Sequence, residues 1–64
     1  MDWIKIGTDI RNAREKKGML QIDLAKELGV SNVFISQIEA SKKKPSAENL
    51  IKISKILDIN FFKH

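Results

Sequence analysis

The stretch from Gln21 to Glu39, QIDLAKELGVSNVFISQIE, constrains the fold more than any other part of the chain. Leu24, Ala25 and Leu28 form one apolar edge at i, i+1 and i+4, and Ile35 and Ile38 form a second at helical spacing. Gly29 stands between them, where a chain leaving a helix needs a left-handed residue, and glycine adopts that conformation without a Cβ clash. Ser31 follows, and its hydroxyl can cap a second helix by accepting a hydrogen bond from a backbone N–H. One helix therefore ends and another begins within about three residues.

That layout is a helix-turn-helix, here spanning about 21–40. At about 100° per residue, Ile35 and Ile38 point inward. Val33, Ser36, Gln37 and Ala40 then point away from the core, with Asn32 and Phe34 on the flanks. This outward face carries no charge, although 31% of the chain is Asp, Glu, Lys or Arg. An ordinary solvated helix face carries Lys and Glu; a face that reads base edges needs amides, hydroxyls and small apolar groups. The plainer reading is chance in a short helix.

Around this motif the chain reads as helices throughout. Asp2 to Lys17 forms the first, with Asp2 as N-cap, Ile6, Ile10 and Ala13 as the inward stripe, and Gly18 after two lysines as a stop signal. Trp3 is expected to pack over the end of the stripe; Ile4 falls off it and the sequence does not place it. Met19 is expected in the core. Ala40 to Lys44 is a loop, ASKKK, whose three lysines read either as a solvated turn or, from their place just after the outward-facing helix, as phosphate contacts. Ser46 caps a further helix with Glu48 in its first turn and Leu50, Ile53, Ser54 and Leu57 inward; Asp58 follows, a residue type that tolerates the left-handed conformation better than most. Ile59 is expected to return to the core, and Asn60 to cap a short fifth turn, FFKH.

Composition narrows the function. With 64 residues the chain is expected to form a single domain, residues 1–64, stabilised by one modest apolar core. There is no Cys, hence no disulfide framework and no thiolate metal site. The only His is His64, and the acidic residues are scattered without a convergent pair or a glycine-rich phosphate loop, so neither an enzyme nor a metal, cofactor or small-molecule site is expected. The net charge of +4 and the pI near 9.6 suit an anionic partner. No apolar run approaches the roughly 20 residues that span a bilayer, and no signal peptide is visible, so a soluble cytoplasmic protein without membrane association is expected.

Gln21 at the start of the first motif helix, Ala25 where the helices cross, Gly29 in the turn, and Ile35 and Ile38 in the second helix resemble the XRE family, the Cro/cI-type repressors and their bacterial relatives. The similarity extends through IGTDIRNAREKKG before the motif and KKKPSAENLIKISKILDI after it. It implies an all-α, lambda-repressor-like bundle of four helices plus a short fifth, binding double-stranded DNA as a homodimer and regulating transcription, more often by repression. By this resemblance Asn32, Val33, Ser36 and Gln37 face base edges, while Gln21, Ser31, Phe34, Lys42, Lys43 and Lys44 contact the DNA backbone. Arg14 and Glu39 match a family ion pair that fixes the first helix against the reading helix; two solvated charges are the alternative. A two-fold contact is expected near the C-terminal end, from Ile56, Phe61 and Phe62 with Pro45 at its edge.

Two positions depart from the family pattern. Leu20 stands where relatives place Ser, Thr or Asn and cannot cap, and Ser41 stands where they often carry Gly, which implies a changed helix end. Two other functions fit the residues: a protein-interaction module, such as an antitoxin-like subunit or a fragment of a larger regulator, and a non-specific nucleic-acid binder, against which the neutral outward face argues.

Overall fold

The computed structural model describes residues 2–61. Within them the chain forms four helices, α1 (Trp3–Lys16), α2 (Gln21–Leu28), α3 (Asn32–Glu39) and α4 (Ala47–Leu57), and no strand. The expected fifth turn begins at Phe61, and the rest of it, with Phe62 of the expected two-fold contact, lies outside the described residues.

Each helix starts and stops for a local reason. Asp2 Oδ1 accepts hydrogen bonds from the Ile4 and Lys5 N–H groups, both at 3.1 Å, and so satisfies donors that the first turn leaves unpaired. Ser31 and Ser46 do the same for α3 and α4, accepting from Phe34 N–H and Asn49 N–H at 3.1 Å. α2 lacks such a side chain: Leu20 at its N-cap is exposed and apolar. Half of a capping box remains, because the Asp23 carboxylate accepts the Leu20 N–H at 2.8 Å.

At the other ends, α1 and α3 close in the same way. After α1, Gly18 takes φ +71° while Gly18 N–H and Met19 N–H return to the carbonyls of Glu15 and Arg14. After α3, Ser41 takes φ +61° while Ser41 N–H and Lys42 N–H return to Ile38 and Gln37. The missing glycine therefore does not change this helix end, contrary to the sequence-based expectation. The Ser41 hydroxyl donates to the Trp3 carbonyl at 3.2 Å, a tertiary bond that offsets the left-handed strain of a residue with a Cβ. Asp58 closes α4 at φ +56°.

One apolar core joins the four helices. Ile6 and Ile10 of α1, Leu24, Ala25 and Leu28 of α2, Ile35 and Ile38 of α3, and Leu50, Ile53 and Leu57 of α4 are all buried. Trp3, Ala13, Met19, Ile56, Ile59 and Phe61 are half-buried against them. Ile4, which the sequence did not place, is 72% exposed.

The crossing of α1 over the end of α3 depends on Gly7. A Cβ there would lie 2.7 Å from the Ile38 carbonyl oxygen and 2.8 Å from that of Glu39. Glycine in a helix interior costs about 0.5–1 kcal/mol relative to alanine, and here it lets the two backbones touch.

Candidate nucleic-acid interface

The position of α3 is set from behind by a buried polar cluster. Arg14, on α1, grips the Glu39 carboxylate at the end of α3 with two N–H groups: Nε to Oε2 at 2.7 Å and Nη2 to Oε1 at 3.2 Å. Its Nη1 donates to the Met19 carbonyl at 2.6 Å. Gln21 Nε2 donates to Glu39 Oε1 at 3.1 Å, tying the start of α2 to the same carboxylate. The Arg14 and Glu39 side chains are 9% and 3% exposed, so the two charges are paired and buried rather than solvated. The hydrogen bonds to Glu39 hold the Arg14 pKa above its ordinary value, against the opposing effect of burial. One carboxylate thus joins α1, α2 and α3 where ridge packing alone would leave rotation possible.

The opposite face of α3 is open. Asn32, Val33, Ser36 and Ala40 are exposed, and Gln37 is half-buried beside them. The side chains of Asn32, Ser36 and Gln37 have no hydrogen-bond partner among the described residues, so this face leaves two amides and a hydroxyl unpaired. Ser31, expected at the DNA backbone, has its oxygen engaged by Phe34 N–H and keeps its O–H as a donor. Gln21 likewise gives one amide N–H to Glu39 and keeps the second.

Two of the loop lysines lie over aromatic rings. Lys43 Nζ lies 5.5 Å from the centroid of the Phe34 ring, and Lys44 Nζ lies 5.7 Å from that of Trp3. Lys42 is exposed with no such partner among the described residues. Phe34 itself is half-buried and packed on the core.

The expected two-fold contact needs one correction. Pro45 is buried within the chain, where it turns from the loop into α4, and offers no edge to a partner. Ile56 and Phe61 are half-buried, and Phe61 with Ile59 and Ala13 lines a surface groove of about 380 Å³ beside α1.

Among the described residues, no group of His, Cys, Asp or Glu is arranged to hold a metal ion, and no helix is long and apolar enough to cross a membrane.

Residues 10–63 match a family model described as "Helix-turn-helix". The chain belongs to this family. Its type is XRE, or Cro/cI, as relatives named for phage repressors and bacterial regulators show. Repressor protein C2 of Salmonella phage P22 is 48% identical over 52 residues, covering 81% of this chain and 24% of the repressor. The chain thus spans about a quarter of that repressor's length. Among solved structures, the restriction-modification controller protein C.AhdI from Aeromonas hydrophila superposes with a TM-score of 0.84 at 30% identity, covering 92% of this chain and 89% of that one. SinR, a master regulator for biofilm formation solved in complex with DNA, superposes with a TM-score of 0.77 at 36% identity, covering 86% and 89%.

Membership in the XRE family agrees with the geometry. The helix-turn-helix model runs through the motif, the lysine loop and α4, and α3 is the helix whose back is fixed and whose front is free. Sequence reasoning found the Arg14–Glu39 pair through the family resemblance. It missed the Gln21–Glu39 bond, the Gly7 crossing and both lysine–ring contacts. None of these has a local signature, since each joins residues more than two helical turns apart in the chain.

Proposed function

We propose that the chain is a sequence-specific reader of double-stranded DNA that regulates transcription, as a repressor, by binding paired half-sites as a homodimer. The observation that carries this reading is the neutral, unpartnered outer face of α3, held in place by the Arg14–Glu39–Gln21 cluster. A rigid helix with Asn, Val, Ser and Gln on its outer face suits the major groove, where amides pair with adenine N6 and N7 and Val33 meets a thymine methyl. Asn32, Val33, Ser36 and Gln37 are the base readers in this account.

Gln21, Ser31, Phe34, Lys42, Lys43 and Lys44 take the backbone, which fixes register without reading sequence. Residues 1–64 act as one DNA-binding module in the cytoplasm, without catalysis of their own. A single module makes few contacts, so two copies bind half-sites about 34 Å apart. Ile56, Phe61 and Phe62 supply their contact. That SinR was solved with DNA and that P22 C2 is named a repressor support the reading.

Selection of bound duplexes from a random pool tests it. The expected result is one enriched motif of two inverted half-sites, with two protomers per duplex by sedimentation. Recovery of unenriched DNA would leave a non-specific binder, and failure to retain DNA at all would favour the protein-interaction module.

A further inference from the structure

Two of the three loop lysines lie over aromatic rings, which biases their direction. Lys43 is drawn over Phe34, on the flank of α3, and Lys44 over Trp3, at the start of α1. The loop between them is fixed at both ends. Ser41 is locked in the left-handed conformation by two backbone bonds and by its hydroxyl bond to the Trp3 carbonyl, and Pro45 is buried. A lysine ordinarily loses much rotamer freedom when it is fixed on a phosphate. A ring that already holds the ammonium removes part of that loss before DNA arrives.

We propose that Phe34 is a positioning residue: its ring face holds the Lys43 ammonium beside the reading helix, so that Lys43 meets a DNA phosphate pre-organised. Phe34 thereby acts on affinity through Lys43 and not by touching DNA. The Lys44–Trp3 contact braces the far side of the same loop. This inference rests on the DNA-binding reading above and narrows the part of Phe34 in it, from a backbone contact of its own to the placing of Lys43. The ring also packs on the core, so truncating it disturbs both packing and cation. Changing its electrostatics alone separates the two. Pentafluorophenylalanine keeps the shape of phenylalanine and reverses the sign of the ring quadrupole, which turns attraction for an ammonium into repulsion.

The experiment is a double-mutant cycle on duplex binding, with the 64-residue chain made by peptide synthesis so that position 34 can carry either ring. Affinity is measured on the selected duplex and on a scrambled one, at several salt concentrations, with unfolding midpoints recorded for every variant. In the Lys43 background the fluorinated ring should weaken both duplexes by the same factor, about two- to fivefold, as expected for an exposed cation–ring contact. Discrimination between the duplexes should not move. In a Lys43→Ala background the fluorinated ring should have no effect. Equal weakening in both backgrounds would show that Phe34 acts on its own, and no weakening in either would show that the ring is packing only; both overturn the proposal. The Lys43→Ala chain with its natural ring tests the parent reading separately. If it changes neither affinity nor salt slope, Lys43 is not a backbone contact and the proposal falls with that assignment. If it does weaken binding and the fluorinated ring does not, only the proposal falls.

Discussion

On its inner side α3 carries Ile35 and Ile38, which are 1% and 2% exposed, and ends in Glu39, whose carboxylate takes three hydrogen bonds from Arg14 and Gln21. On its outer side the same helix presents Asn32, Val33, Ser36 and Gln37, with Val33 58% exposed and the polar side chains unbonded among the described residues. The buried contacts and the ion pair that fix α3 are made from behind, and the groups in front are left unspent. The difference teaches how so small a domain presents a specific surface. The back must be rigid because a base contact depends on sub-ångström placement, and the front must be unpaired because a group already bonded within the protein gains little from a base edge.

The largest effect is expected from breaking the back. Arg14→Ala leaves the Glu39 carboxylate buried without its cation, at a cost of about 3–5 kcal/mol. For a domain of this size that approaches the whole stability, so chemical denaturation is best followed in a stabilising osmolyte. Glu39→Ala should cost a similar amount, and the double variant clearly less than the sum of the two. Additive losses would mean that the two charges act separately and that the cluster does not set α3.

Gly7→Ala comes next. The added methyl meets two carbonyl oxygens of α3 at 2.7 and 2.8 Å, so the helices must part. The expected net loss is about 1–3 kcal/mol, with weaker binding to the selected duplex because α3 moves. In an exposed helix the same change would stabilise. A raised melting temperature would show that the α1–α3 crossing is not tight.

These two sites also mark what the sequence made legible. The helices, their serine and aspartate caps and the left-handed stops at Gly18, Gly29 and Asp58 depend on neighbours within about four residues, so local chemistry finds them. The outward face of α3 was legible because periodicity alone assigns front and back to the helix. Gly7 was not, because its partner carbonyls at Ile38 and Glu39 meet it only after the chain has folded back. Nor was the hold of Phe34 and Trp3 on the lysine loop, since a Lys run looks the same whether solvated or seated on a ring. Pro45 was expected at the edge of the two-fold contact, and it is buried within the chain.

The smallest change sharpens the comparison at the other motif helix. Leu20→Ser would complete the capping box that Asp23 half-forms, and should stabilise the fold by about 0.5–1 kcal/mol. Thermal unfolding measures it. Base discrimination should stay as it was, because the change touches neither the back nor the front of α3. A gain in stability accompanied by altered sequence preference would mean that the start of α2 helps to read bases.

The central claim is that the front of α3 reads bases while the lysine loop only positions the module, and one comparison tests it directly. Gln37→Ala and Lys43→Ala are titrated against the selected and scrambled duplexes over a range of salt. Gln37→Ala should cost about 1–3 kcal/mol on the selected duplex and far less on the scrambled one, relaxing one base pair in each half-site. Lys43→Ala should weaken both duplexes alike and lower the salt slope by about one. Equal weakening of both duplexes by Gln37→Ala would contradict the assignment of α3 as the base reader.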